Sequence, residues 1–347
     1  NDSQFNRRLG IHRDTRLNQK AVSNATYSKR WPEQNVSMSM NLSETRNLMA
    51  KAKTHPTTVQ DSLYFQLPGK AGARVVETTT ALPTFNFRKG QSQLFGRSKK
   101  GGTTFHWSYN SALKNRGTGF YESEATIDTL EDATLDTSFA WGTRQTDFDN
   151  SWVHNISLSG SAQLFKVLSL RQSFSLREEW ITKYFDAEAA DTLGNPIQRQ
   201  EVRGFRARHK GTFSVSTNTK LYGLFPIRIG PLTALRHTIT PSVGFSFRPD
   251  YSKPILGYDA GYFKTLTDEN GEEHLFDYFN GSQIGATSRQ EQRSLNISVK
   301  NLFQAKVRRG DEERKIDNLL TWNMRTSYNF AADQFRLAKL RSSIRAG

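Results

Sequence analysis

Arg206, Arg208 and Lys210 stand at every second position of the run GFRARHKGTFSVS, separated by Ala207 and His209. Period two puts all three cations on one side of an extended chain. The same alternation places Arg171, Arg177, Lys220, Arg248, Lys300, Lys306 and Arg325 at polar positions of other segments. Guanidinium and ammonium groups arrayed this way bind phosphate and carboxylate through charge-assisted hydrogen bonds, as several exchangeable contacts. The alternative is that they pair with Asp and Glu of a plug or of neighbouring strands. A net charge of +15, from 48 Lys+Arg against 33 Asp+Glu, suits a polyanionic partner: nucleic acid, anionic lipid or acidic glycan.

Bond-making chemistry finds little support. HExxH, G-x-S-x-G and G-x-x-x-x-G-K-[ST] are absent. The histidines (His12, His55, His106, His154, His209, His237, His274) are scattered without metal-ligand spacing, and there is no cysteine for a thiolate site or a disulfide. The expectation is therefore no catalytic residue, no cofactor and no metal. Matches to N-x-[ST] at Asn24, Asn35, Asn41, Asn155, Asn280 and Asn296 arise automatically on a polar face rich in Asn, Ser and Thr. The pairs Glu131–Asp132 and Glu272–Glu273 and the run 310–314 read as solvated loop.

The elements that must carry these cations are strands. In residues 151–180, Trp152, Ile156, Leu158, Leu168, Phe174, Leu176 and Trp180 fall on even positions, while Ser157, Ser159, Arg171, Ser173, Ser175 and Arg177 fall on odd ones. The pattern recurs around Val36–Leu42, Phe105–Tyr109, Phe205–Val215, Ile239–Phe247, Leu295–Phe303 and Leu320–Phe330, and no helical period competes with it. The chain is all-β. Its alternating runs extend over roughly 10–15 residues, whereas a tilted membrane strand needs about 9–11 and a typical soluble strand about 5–6. The longest apolar stretch, Leu221–Leu235, is interrupted by Gly223, Pro226, Gly230 and Pro231 and is too short for a membrane helix.

Connections alternate in length. Segments 115–150, 182–201 and 249–292 are long, and those near Lys166, at 222–234 and at 308–318 are shorter. Long loops on one side and short turns on the other describe an antiparallel transmembrane β-barrel, with 182–201 and 249–292 on the outside. Ser138–Trp141 looks like one more strand inside 115–150, which would upset that alternation. Aromatics at strand ends (Trp180, Tyr184, Phe247, Tyr251) suit an interfacial girdle. A soluble basic β-protein binding polyanions is the competing class. A nucleic-acid reading is the runner-up from that class, but no nucleic acid is expected as a partner, because stacking needs aromatics on the cationic face and here most of them occupy the other. Pro241, within an alternating run, predicts a locally weakened pair or a bulge.

LYGLFPIRIGPLTALRHTITPSVGFSFRPDYS (221–252), FNGSQIGATSRQEQRSLNISVKNLFQAKV (279–307) and TSYNFAADQFRLAKLRSSI (326–344) resemble the barrel of the lipopolysaccharide-assembly family LptD. LPTFNF, HWSYNSALKNRG and LFKVLSLRQSFS occur upstream in the family's order. The resemblance implies a large barrel in the bacterial outer membrane. Its periplasmic domain would receive lipopolysaccharide from a bridge protein of the LptA type, and an LptE-like lipoprotein would plug its lumen. The lipid would leave sideways between first and last strands while the sugars cross the lumen. A transport barrel of the porin kind remains the alternative. The chain departs from the family in three respects. No periplasmic jellyroll is evident, about 14 strands fit into 1–347, and the absence of cysteine excludes the disulfides found in some members. It reads as a central barrel region.

Overall fold

The computed structural model describes residues 19–96, 103–129, 135–165, 167–227, 229–310 and 312–347. A hairpin of β1 (Lys20–Trp31) and β2 (Val36–Asn47) leads to two short helices, α1 (Ala50–Thr54) and α2 (Val59–Ser62). Four long strands follow: β3 (Arg74–Phe95), β4 (Thr104–Thr129), β5 (Leu135–Leu164) and β6 (Leu168–Asp186). After the two-residue strands β7 (Ala189–Ala190) and β8 (Pro196–Ile197) come β9 (Gln200–Thr219), β10 (Leu221–Phe225) and β11 (Leu232–Arg248). A small hairpin, β12 (Phe263–Thr267) and β13 (Glu273–Asp277), precedes β14 (Gln292–Arg309), β15 (Glu312–Asn329) and β16 (Arg341–Ala346).

Twelve strands form one antiparallel sheet in the order β1-β2-β3-β4-β5-β6-β9-β11-β14-β15-β16, with β10 attached to β11. Among the described residues β1 and β16 do not pair with each other, so the sheet is open. Eleven strands thus lie side by side where about 14 were expected. The difference is length, since β4 has 26 residues and β5 has 30. Most of 115–150, expected as a long loop, belongs to these two strands. Ser138–Trp141 is the distal part of β5, paired with Ser123–Thr126, and not a separate crossing. A register shift between Tyr121 and Ser123 breaks the parity there, which is why the alternation could not be followed through. Residues 130–134, with Glu131 and Asp132, and the single residue Lys166 lie outside the described residues.

Apart from the links at 96–103 and 130–134, which break the rule, the connections sort by length to opposite ends of the sheet. Those at 32–35, 165–167, 226–231 and 310–311 sit at one end; those at 48–73, 187–199, 249–291 and 330–340 sit at the other. The two expected outer loops survive with narrower bounds, because β6 runs on to Asp186 and β9 begins at Gln200.

The hydrophobic packing lies where those two loops meet. Tyr251, Tyr262 and Phe279 bury themselves against Ile181 of β6, and Leu266 and Phe276 against Ala187 and Ala190. Residues 187–199 and 249–291 therefore form a cap seated on one face of β6 and β9. Tyr251 and Tyr262 place their hydroxyls on the backbone of β9, at Gly211 (2.6 Å) and His209 (2.7 Å), so buried phenol oxygens have partners. Next to β3 and β4, the 48–73 segment is held by Trp141 Nε1 donating to Gln66 O (2.7 Å) and Ser123 Oγ to Lys70 O (2.6 Å).

Candidate polyanion-binding face

Residues directly opposite each other in an antiparallel ladder point to the same side of the sheet. Arg177 lies opposite Asn155 and Lys210, Glu179 opposite Arg208, and Ile181 opposite Arg206. Arg171 is flanked by Ser161 and Ser216, Lys300 by Thr240 and Asn323, and Arg325 by Ser298 and Arg341. Arg248 lies opposite Gln292, and Lys306 opposite Ala234 and Lys315. All nine share a face with Ser159, Ser173, Ser214, Ser246 and Ser294, which are themselves opposite one another from β5 through β14. Lys220, the tenth predicted residue, sits in the gap between β9 and β10.

The other face carries Trp152, Leu158, Phe174, Trp180, Phe213, Phe245, Ile297 and Trp322. On it Trp152 and Trp180 meet edge-on at 5.5 Å, with His154 between them at 4.8 and 4.6 Å. Many of these side chains are open to the surroundings: Phe174, Phe213 and Ile297 are each about 40% exposed.

The ten cations divide into two groups. Glu179 is wholly buried and gathers three of them: Arg208 Nε (2.7 Å), Lys210 Nζ (2.9 Å) and Arg177 Nε (2.6 Å). Arg208, also wholly buried, turns its remaining donors to the cap. They reach Thr287 Oγ1 (2.7 Å), Gly285 O (3.0 Å) and Ile284 O (3.1 Å), and the guanidinium lies over the Phe279 ring. Asp277 completes the chain by accepting from Thr287 Oγ1 (2.9 Å) and Phe279 N (3.0 Å). Arg206 stacks on Tyr278 at 3.5 Å and on Tyr184 at 4.5 Å. For Arg208 and Lys210, pairing with a carboxylate of a neighbouring strand is thus the observed role, and Arg177 pairs with the same Glu179 within its own strand. Arg171, Lys220, Arg248, Lys300 and Arg325 make no ion pair with another described residue, and Lys306 meets Glu313 at 3.3 Å.

Pro241 lies opposite Val299 in an unshifted register, so no bulge forms against β14. On its other side β9 pairs with β11 up to Asn218–Ser242, and β10 resumes at Leu221–Ile239. The ladder there lacks the rungs at Thr219 and Lys220 while keeping its register.

One grouping escaped the sequence reading. Asp268, Glu272 and His274 bring ligand atoms within 4.8 Å of one another at the turn of the β12–β13 hairpin. The Asp268 carboxylate there accepts from Asn270 N (2.9 Å) and Glu272 N (2.8 Å), the bonding of an ordinary Asx turn.

A family model described as LptD protein matches residues 1–347. The chain belongs to the LptD family. No curated protein and no solved structure matches it. LptD proteins are outer-membrane proteins of lipopolysaccharide transport, and the all-β fold, with no membrane-spanning helix among the described residues, accords with that.

Proposed function

We propose that this chain is wall of an outer-membrane translocon that inserts lipopolysaccharide into the outer leaflet. The observation that carries the proposal is the segregation of the sheet: one face apolar and open, the other polar, cationic and partly covered by the chain's own cap. Curled into a barrel, such a sheet turns the apolar face to lipid and the polar face to a wet lumen. Sugars and phosphates then pass along the hydroxyls and the unpaired Arg171, Lys300 and Arg325, and the lipid leaves sideways through a gate between strands. An LptE-like lipoprotein fits the lumen as a plug, and a bridge protein of the LptA type delivers the substrate. The role is non-enzymatic. The cap and the long connections face outward, the short turns the periplasm.

Refolding in detergent tests the barrel. Heat-modifiable migration on a gel is the expected result, and a chain that folds without detergent and shows no such shift overturns it. A peptide tag at Asn270–Gly271 tests the orientation, because it is expected to be reachable on intact cells. Reactivity only after permeabilisation reverses the assignment.

A further inference from the structure

Strand β10 pairs with β11 and, among the described residues, with nothing else. The neighbour it would have is β6, but β6 begins at Leu168, opposite Thr219, and the chain turns away through 165–167 into β5. Among the described residues the lane beside β10 is vacant, so one edge of this strand offers its N–H and C=O groups without a strand partner. The side chains are unusual as well. Leu221, Tyr222, Leu224 and Phe225 are 54%, 59%, 71% and 50% exposed, and they occupy both faces, including the one that is polar elsewhere. Beside them runs a groove of about 350 Å³ lined by Tyr222, Leu224, Ala234, Arg236, Lys306 and Lys315. Arg236 lies over the Tyr222 ring at 4.9 Å and makes no ion pair with another described residue.

We propose that β10 is a strand-addition site for a partner protein, which supplies an extended segment alternating apolar and acidic residues. A row of donors and acceptors at strand spacing is matched by another backbone, which displaces the water there, and not by a lipid. The groove side of the added strand brings carboxylates to Arg236 and the two lysines, and its other side covers Leu221 and Phe225. The strand chemistry stands independently of the lumen; the orientation proposed above adds only that the partner comes from the periplasm.

The test uses the refolded chain in detergent micelles and a fluorescent peptide alternating Val and Glu, read by anisotropy. Saturable binding is expected, weakened about tenfold by one central proline, the effect of one or two lost ladder hydrogen bonds. Lys in place of Glu weakens it as well. The double variant Tyr222→Ser, Leu224→Ser is expected to lose peptide binding while keeping heat-modifiable migration. Equal binding of the proline-interrupted peptide, equal uptake by empty micelles, or no binding at all overturns the proposal. So does a self-associated chain that the peptide cannot compete apart, since a second copy then holds the edge. None of these readouts involves lipopolysaccharide, so they leave the transport reading to its own tests.

Discussion

The polar face is built the same way around Glu179 and around Lys300 and Arg325, yet the two regions behave as different materials. Both carry cations at alternate positions between Ser, Thr and Asn. Near Glu179 the cap has settled on the sheet, Glu179 and Arg208 are wholly buried, and Arg208 is fixed by Glu179, Thr287, Gly285 and Ile284. Near Lys300 and Arg325 nothing described covers the face, and the cations are left for something else to use. Among the described residues the covered charges are tied into an ion cluster, whereas Lys300 and Arg325 make no ion pair, and strand position alone does not decide which.

The sharpest way to break that distinction is Arg208→Ala. It takes from Glu179 its one wholly buried partner, leaving Arg177 and Lys210, and the expected loss is at or below the cost of a buried ion pair broken on one side, about 3–5 kcal/mol. The cap is expected to lift, so limited proteolysis should cut within 250–290 while heat-modifiable migration persists. Loss of the whole barrel instead would make the ion cluster part of the wall rather than a fastening of the cap. A smaller effect is expected from Tyr262→Phe, which removes a hydroxyl that accepts from His209 N and donates to His209 O (3.2 Å). The orphaned groups cost about 1–3 kcal/mol, seen as faster amide exchange at 205–213 and across 260–280.

On the bare side, replacing Lys300 and Arg325 together with Gln is expected to change stability by less than about 0.5 kcal/mol, as for surface substitutions away from packed features. Delivery of lipopolysaccharide to the cell surface should nevertheless slow. Normal delivery would remove the functional half of the comparison. The smallest expected effect is a pH response within the cap. Burial by itself would raise the Asp268 carboxyl, but the Glu272 backbone N–H, His274 and the Asn270 N–H together hold it below the usual Asp value. A depressed carboxylate adds stability above its unfolded value of about 3.9 and loses it as pH falls through the lower folded value. Amide exchange at 268–274 should therefore rise on acidification below pH of about 4, and Asp268→Asn should abolish that dependence.

How much of this was legible depends on distance along the chain. Parity in 151–180 already sorts Trp152, Leu158 and Phe174 from Ser159, Arg171 and Ser173, and the observed register agrees because no shift interrupts β5, β6 and β9 there. Where a shift does occur, at Tyr121/Ser123, the reading failed and strand was taken for loop. The fate of Arg208 was not legible at all, since its partners Ile284–Thr287 are 76–79 residues away and carry no pattern pointing back to it. The β12–β13 hairpin had a local signal, the Asn270–Gly271 turn, but it sat inside a stretch that otherwise reads as loop.

The strictly sequential strand order has a consequence for how the molecule comes into being. Apart from the two small hairpins, every strand of the sheet pairs with the one that precedes or follows it. Such a meander can be laid down one hairpin at a time, most steps closing a short loop and those across 48–73 and 249–291 a long one. The cap runs to a different clock. Its ties join residues 79 apart at Arg208–Thr287 and 132 apart at Ser151–Gln283. Its seat, moreover, does not exist until β6 and β9 lie side by side to bring Glu179 to Arg208. The wall is therefore expected to form before the cap, with residues 249–291 left unanchored until β6 and β9 have paired.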